Sequence, residues 1–275
     1  IKDYIYSQGV LACQFMLHDE NTKGRNKFNL SYYSHVLNQM VVKACGELFE
    51  IKFCDEINNK PTMIIGIEVI KERKGVLKYT ASSSYNKRLS KFYTDSKKST
   101  NFDDKGFTIV SLIKNAVDEF KKYNNNLPKN IIIYRRGGSD NEIEKIYKNE
   151  LPEIKKLFEG NKEDGGYETD YKPNLTVFTV SRRPEIKFVE KKEEGYKNVP
   201  LGTVIDDEIV DPEIFEFYMQ CQKFEKGFAT PIHYSCIFNN NEDISMTDFE
   251  KITYNLSYYY WNSNGPSRTP VALRY

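Results

Sequence analysis

The chain predicts an α/β fold, a mixed sheet with helices packed on its faces. Three observations carry that expectation. The run Met63-Ile64-Ile65-Gly66-Ile67-Glu68-Val69-Ile70, after Pro61, is apolar on both alternating faces, as a strand covered on both sides should be. Ile131-Ile132-Ile133-Tyr134 is a second short, wholly apolar run. Between them Ile109, Leu112, Ile113, Ala116, Val117 and Phe120 recur at the three- and four-residue spacing of one helix face.

The remaining elements follow in order. Residues 1–30 are mixed and then polar, and read as a loop or the end of a preceding domain. From Ser31 to Phe49 the positions Val36, Leu37, Met40, Val41, Ala44, Cys45 and Leu48 trace a helix, with Gly46 near its end. Gln39 and Lys43 stand four apart on it and project from one side; on their own they read as a solvated pair. In the strand that follows, Glu68 is the misfit, because a carboxylate in such surroundings loses its water. Taken alone, it either reaches solvent or a lysine at the strand's end, or it marks a site. Gly75–Ser82 and Arg88–Tyr93 read as two further strands of a meander, and Thr94–Lys105 as a polar loop. The helix over 109–120 stops near Asn124-Asn125-Asn126-Leu127-Pro128. After the second apolar strand and Arg135-Arg136-Gly137-Gly138, another helix covers about Asn141 to Phe158. Leu175–Ser181 is a strand leading to Arg182-Arg183-Pro184, and 185–212 is loop-rich. Glu213–Gln222 reads as helical, Pro231–Phe238 as a strand carrying His233, and Thr247–Trp261 as the last helix. Three strands, a helix, a strand, a helix and a strand make the ribonuclease-H-like order, in which the first strand and the strand after the first helix lie side by side.

Composition narrows the function classes. The 275 residues are 39% hydrophobic, enough for a sizeable core. Net charge is only +1, so a polyanion must be met by a local basic surface and not by the average field. Five scattered cysteines, Cys13, Cys45, Cys54, Cys221 and Cys236, form no C-x-x-C pair and fit a reducing compartment. No apolar run reaches the ~18 residues of a membrane span and no signal peptide opens the chain. The expectation is a soluble protein of the cytoplasm or nucleus, without a membrane partner.

Six ordered segments then resemble the PIWI domain of Argonaute proteins. Residues 61–72 (PTMIIGIEVIKE) are similar to the family's G-I-D-V-x-H-D strand, and Ile131–Asp140 (IIIYRRGGSD) to its I-I-x-Y-R-D-G-V-G-D segment. Asn174–Arg183 (NLTVFTVSRR) resembles L-T-V-x-V-V-x-K-R. Pro200–Ile205 (PLGTVI) resembles P-x-G-T-V-x-D, and Ala229–Tyr234 (ATPIHY) resembles S-P-T-H-Y. Tyr259–Pro270 (YYWNSNGPSRTP) resembles Y-W-N-W-P-G-T-I-R-V-P. Asn38–Ile51 (NQMVVKACGELFEI) resembles the PIWI clade's Q-M-N-x-K-M-G-G-E-L-W, and Ser7-Gln8 the pair that closes the MID domain. The resemblance implies that 1–60 is the end of MID with its linking helix and 61–275 the PIWI domain, with most of MID, the PAZ and N-terminal regions and a last helix missing.

The resemblance also implies a set of site residues. A cleaving member uses two metal ions, held by Asp, Glu, Asp and a fourth Asp or His, because magnesium wants hard oxygen ligands. Matched residue by residue, these positions fall on Glu68, near Asp104, on Arg136 and on His233. Glu68 keeps a carboxylate one methylene further out. Arg136 places a cation, which can neither coordinate a metal nor lose its charge, where an acid is expected. The guide's 5′ phosphate would fall to Gln8, Gln39, Lys43 and Arg268, with magnesium assisting there. Its backbone would run past Arg182 and Arg183, with sequence read by base pairing. The expectation is a small-RNA-guided protein that binds a guide RNA and a target RNA in silencing without slicing. The alternative is a magnesium-dependent RNA endonuclease that uses Glu68, Asp104 and His233.

Overall fold

The computed structural model describes residues 30–44, 46–100, 105–159, 166–167, 171–182, 184–222, 227–261 and 265–274. Its centre is three parallel strands, β1 (Thr62–Lys71), β4 (Asn130–Arg136) and β5 (Asn174–Ser181). They are apolar on both faces because both are covered. Ile64 lies beside Ile132 and Thr176 on one face; Ile65 lies beside Ile133 and Val177 on the other. Antiparallel strands extend the sheet to both sides: β2 (Leu77–Ser84) and β3 (Phe92–Ser99) beyond β1, and β10 (Ile232–Asn239), β9 (Glu216–Met219) and β8 (Val204–Ile205) beyond β5. The order across the eight strands is β3-β2-β1-β4-β5-β10-β9-β8.

Each face packs its own core. α3 (Lys105–Asn124) and α5 (Leu151–Glu159) cover one side, burying Leu112, Ile113, Val117, Ile154 and Leu157 against Ile65, Ile133 and Val177. The other side holds Ile64, Tyr134, Phe178 and Tyr234 beneath α6 (Met246–Ser257), α2 (Asp55–Asn59) and the short turn Val271–Leu273. α1 (Leu30–Lys43) reaches this second core through the partly buried Val42. No helix among the described residues is long and apolar enough to cross a membrane.

Several expected elements are corrected. The third strand is not Arg88–Tyr93 but Phe92–Ser99, because the Asn86 side chain ties the preceding turn by accepting from the amides of Ser90 and Lys91. All but the first two residues of this edge strand lie inside the expected polar loop; from Thr94 on, its polar sequence shows no apolar alternation. The first helix ends at Lys43 and not at Phe49, where the Gly46 amide folds back to the Val41 carbonyl at 2.9 Å. Glu213–Gln222 is not a helix: Phe217 and Met219 belong to β9, paired with β10 on one side and β8 on the other. The expected helix 141–158 is three pieces, α4 (Asp140–Lys145), a π-helical turn (Ile146–Glu150) and α5. The stretch 185–212 contains the hairpin β6 (Val189–Lys192) and β7 (Gly195–Asn198).

Candidate functional site

Open α/β sheets bind ligands at the carboxyl ends of their parallel strands, and of the sequence-predicted residues Glu68, Arg136, Arg182 and Arg268 lie there. Parallel pairing in which Ile67 matches Arg135 brings the next residues, Glu68 and Arg136, side by side on one face. They form an ion pair. Glu68 keeps 21% of its side chain exposed and Arg136 40%, so the pair sits at the surface end of the sheet. The guanidinium offsets the desolvation of a carboxylate lodged on a buried strand.

Gly66 explains how the C-terminal segment reaches this end. A Cβ there would lie 2.2 Å from the Ala272 carbonyl oxygen, so only glycine lets residues 271–273 cross β1 so closely. The segment is then strapped to β5. The Arg182 guanidinium donates to the Leu273 carbonyl at 3.0 Å and to the Thr269 hydroxyl at 3.4 Å, and Arg268 donates to the Arg182 carbonyl. Arg274 lies over the Tyr260 ring, 5.3 Å from its centre. Burial, and then the charges of Arg136, Arg274 and Arg268, push the Arg182 pKa down to about 10. Among the described residues the Arg182 Nε and the fully buried Tyr234 hydroxyl find no hydrogen-bond partner. Together these groups form an electropositive end of the sheet.

His233 is not brought together with Glu68 and Arg136. The ladder sets Arg136 beside Val180 and Val180 beside Tyr234; His233 pairs with Ser181, one step on, and so points to the opposite face. There its Nε2 lies 3.0 Å from the Glu216 carboxylate and its ring stacks on Tyr218, centroids 4.4 Å apart. Gln39 is half-buried on α1 and Lys43 is exposed at that helix's end. Gln8, Asp104 and Arg183 lie outside the described residues.

The two matched donors among the described residues, Glu68 and His233, do not come together to hold a metal pair. Among the described residues no three His, Cys, Asp or Glu side chains come together in a way that would hold a metal ion. Glu68 is engaged by a guanidinium, and His233 serves another face.

Sequence reasoning missed Arg135, Arg274 and Tyr234. Arg135 was legible: two arginines in succession on a strand must face opposite ways, and the inner one needs a carboxylate. Glu150 of the π-helical turn supplies it with two bonds, 2.8 and 3.0 Å, each side chain only 5% exposed. Arg274 depends on the crossing at Gly66, for which spacing carries no signal.

Comparison with known proteins agrees with this architecture. The family model described as "Piwi domain" matches residues 1–275. Piwi-like protein 1 of Gallus gallus is 26% identical over all of this chain, which spans 30% of that protein. Piwi-like protein Ago3 of Bombyx mori is 29% identical over 87% of this chain and 25% of its own length. Among solved structures, Drosophila Piwi superposes with a TM-score of 0.73 at 19% identity, covering 91% of this chain and 33% of that one. Kluyveromyces polysporus Argonaute with a guide RNA gives 0.71 at 23% identity, over 88% of this chain and 29% of that one. At such identities the structural likeness is one of fold, and it is the ribonuclease-H-like fold. The match of the family model along the full 275 residues is what decides membership: this chain belongs to the Piwi domain family.

Proposed function

We propose that this chain is part of a small-RNA-guided silencing protein that holds a guide strand and pairs it to a target without cutting. Support comes from membership of the Piwi domain family and from Piwi-like relatives that match it over most of its length. The likeness in fold to an Argonaute solved with a guide RNA points the same way. One observation carries the non-cutting part: Arg136 occupies a position matched to a metal-binding acid, and it is bound to Glu68, the neighbouring matched position. A fixed cation there repels the divalent ions on which phosphodiester cleavage by two metals depends. His233, turned to the other face, speaks against an endonuclease built on Glu68, Asp104 and His233.

Gln39 and Lys43, with Gln8 and Arg268, are the proposed holders of the guide's 5′ phosphate, a dianion that several N–H donors and positive charge would satisfy. Magnesium at that phosphate would supply further charge neutralisation. The test loads the full-length protein with a 5′-phosphorylated guide and a fully paired target in Mg²⁺ and follows the target's length. The expected result is stable guide and target retention with no cut product; robust Mg²⁺-dependent cutting overturns the proposal.

A further inference from the structure

At the sheet edge opposite β3, the connection between β8 and β9 forms a groove of about 340 Å³ against the first residue of α6, Met246. Asp206, Asp207, Asp211, Glu213 and Glu216 line it, and among the described residues no lysine or arginine does. We propose that this groove docks a basic segment of a partner protein, with an apolar side chain entering between flanking arginines or lysines. The proposal does not depend on guide holding, because the groove lies beyond β10 and shares no lining residue with the cationic end of the sheet.

Four observations carry it. First, the charge is local: residues 206–216 hold six acids and no basic residue, in a chain with 40 basic and 39 acidic residues overall. Among the described residues only Glu216 of the five lining acids has a basic side chain against it, His233 at 3.0 Å. Second, the run has a fixed shape, which a charge run that merely faces water does not need. The Val210 amide donates to the Asp207 carbonyl at 3.0 Å, and the Glu213 amide to the Asp211 carboxylate at 2.9 Å. The Asp211 amide donates to the Glu216 carboxylate at 3.1 Å. Third, the lining is also apolar. Phe215 packs on the core rings of Phe178 and Phe217, centroids 5.9 and 5.6 Å away, and still faces the groove. Ile214 and Met246, each 45% exposed, add apolar surface to the same groove, a cluster and not a scatter. Fourth, behind the lining Asp206 hydrogen-bonds Glu250, which is only 8% exposed and whose Oε1 finds no partner among the described residues. Lys251, the cation nearest to them in sequence, pairs with Asp248 at 3.3 Å. Two carboxyl groups are thus held together at the inner wall without an ion-pair partner among the described residues.

A basic peptide suits this geometry. Carboxylates spread along a loop meet guanidinium or ammonium groups spaced along an extended chain. The apolar lining takes the side chain between them, the division into apolar centre and charged rim that protein interfaces use. The volume is near the low end of the roughly 300–1,000 Å³ of ligand pockets, so it admits a few side chains and not a folded domain. A bare metal ion suits it less, since among the described residues no three His, Cys, Asp or Glu side chains come together to hold one. Nucleic acid is repelled by the same charge.

The test uses the full-length protein loaded with guide RNA and three fluorescent peptides, Arg-Arg-Leu-Arg-Arg, Arg-Arg-Ser-Arg-Arg and Glu-Glu-Leu-Glu-Glu, followed by anisotropy. A photoreactive leucine in the first peptide locates the contact by mass spectrometry. The leucine–arginine peptide is expected to attach within 206–216 or at Met246 and to bind more weakly as salt is raised. Asp207 and Glu213 are exposed, so Asp207→Asn with Glu213→Gln should keep the wild-type thermal midpoint and guide retention while weakening that peptide about tenfold. Ile214→Ser, or the serine peptide on wild type, should each cost roughly fivefold. Asp207→Lys with Glu213→Lys should reverse the preference and take up the glutamate peptide, which peptide held by the RNA would not do. Equal affinity for wild type and the Asp207→Asn, Glu213→Gln protein overturns the proposal, as does attachment elsewhere. Self-association of the full-length protein that Ile214→Ser abolishes assigns the groove to a second copy and overturns it too. Direct binding of Ca²⁺ that excludes the peptide makes it a metal site, with the same consequence.

Discussion

Glu250 and Asp206 show how a single residue ties this fold to pH. Glu250 lies in α6 with only 8% of its surface exposed, and one of its carboxylate oxygens is buried with no hydrogen-bond partner among the described residues. Burial, then the charge and hydrogen bond of Asp206, raise its pKa from 4.5 to about 7; Lys251 opposes this weakly. The folded state therefore binds the proton more tightly than the unfolded one. Stability from this group is complete below the unfolded pKa and is lost as pH rises from 4.5 through about 7. The expected loss is roughly 1–3 kcal/mol across that window. Glu250→Gln should remove the slope, so that denaturant midpoints at pH 5 and pH 8 converge relative to the wild type; an unchanged slope would show that other groups set it. The same residue-scale logic separates Arg136 from Arg135. Both are arginines on one strand, but alternation gives one a surface carboxylate and the other a buried one.

Among the elements, the π-helical turn Ile146–Glu150 is the least expected. A π turn inserts an extra residue into the helical path and shifts the side chains that follow it. Here it delivers Glu150 beneath β4, where the carboxylate grips Arg135 with two bonds. Glu150→Ala should leave a buried guanidinium uncompensated and cost about 3–5 kcal/mol, measured by urea denaturation. The pair Arg135→Met with Glu150→Leu should recover most of that loss, since apolar packing can replace a buried ion pair. Elements of this kind mark the limit of what could be read beforehand. β1, β4 and β5 were legible because strands buried on both faces must be apolar throughout. α3 was legible because one helix face had to meet them. β3 was not, because an edge strand of alternating exposed polar residues carries no apolar period. β9 was misread as helix, since a short run of Phe215, Phe217, Tyr218 and Met219 fits either period until β10 and β8 pair with it. At the site, the adjacency of Glu68 and Arg136 followed from strand order. The separation of His233 from them did not, because it turns on a register of one residue.

For the whole molecule, the decisive contact joins the first strand of the sheet to the end of the chain. Gly66 lies under the backbone of Ala272, and Arg182 holds Leu273, so the β1 and β5 ends are closed by one short segment. That closure gathers Arg268 and Arg274 beside Arg182 and Arg136, turning a protein of net charge +1 into one with a locally cationic end. The electrostatic site is thus a product of chain closure and not of composition. Gly66→Ala tests the dependence directly. The new methyl meets backbone, which cannot rotate away, so the segment must lift or β1 must shift. The expected cost is roughly 1–3 kcal/mol, seen as a lowered thermal midpoint. Amide exchange should accelerate for 271–274 well before it does for β4, whose residues Asn130 to Tyr134 are wholly buried. Affinity for a paired guide and target should fall and become less sensitive to salt, because the lifted segment withdraws several charges together. Unchanged exchange at 271–274 in a Gly66→Ala protein that remains folded would show that the segment is held from elsewhere, and that the cationic end does not depend on this crossing.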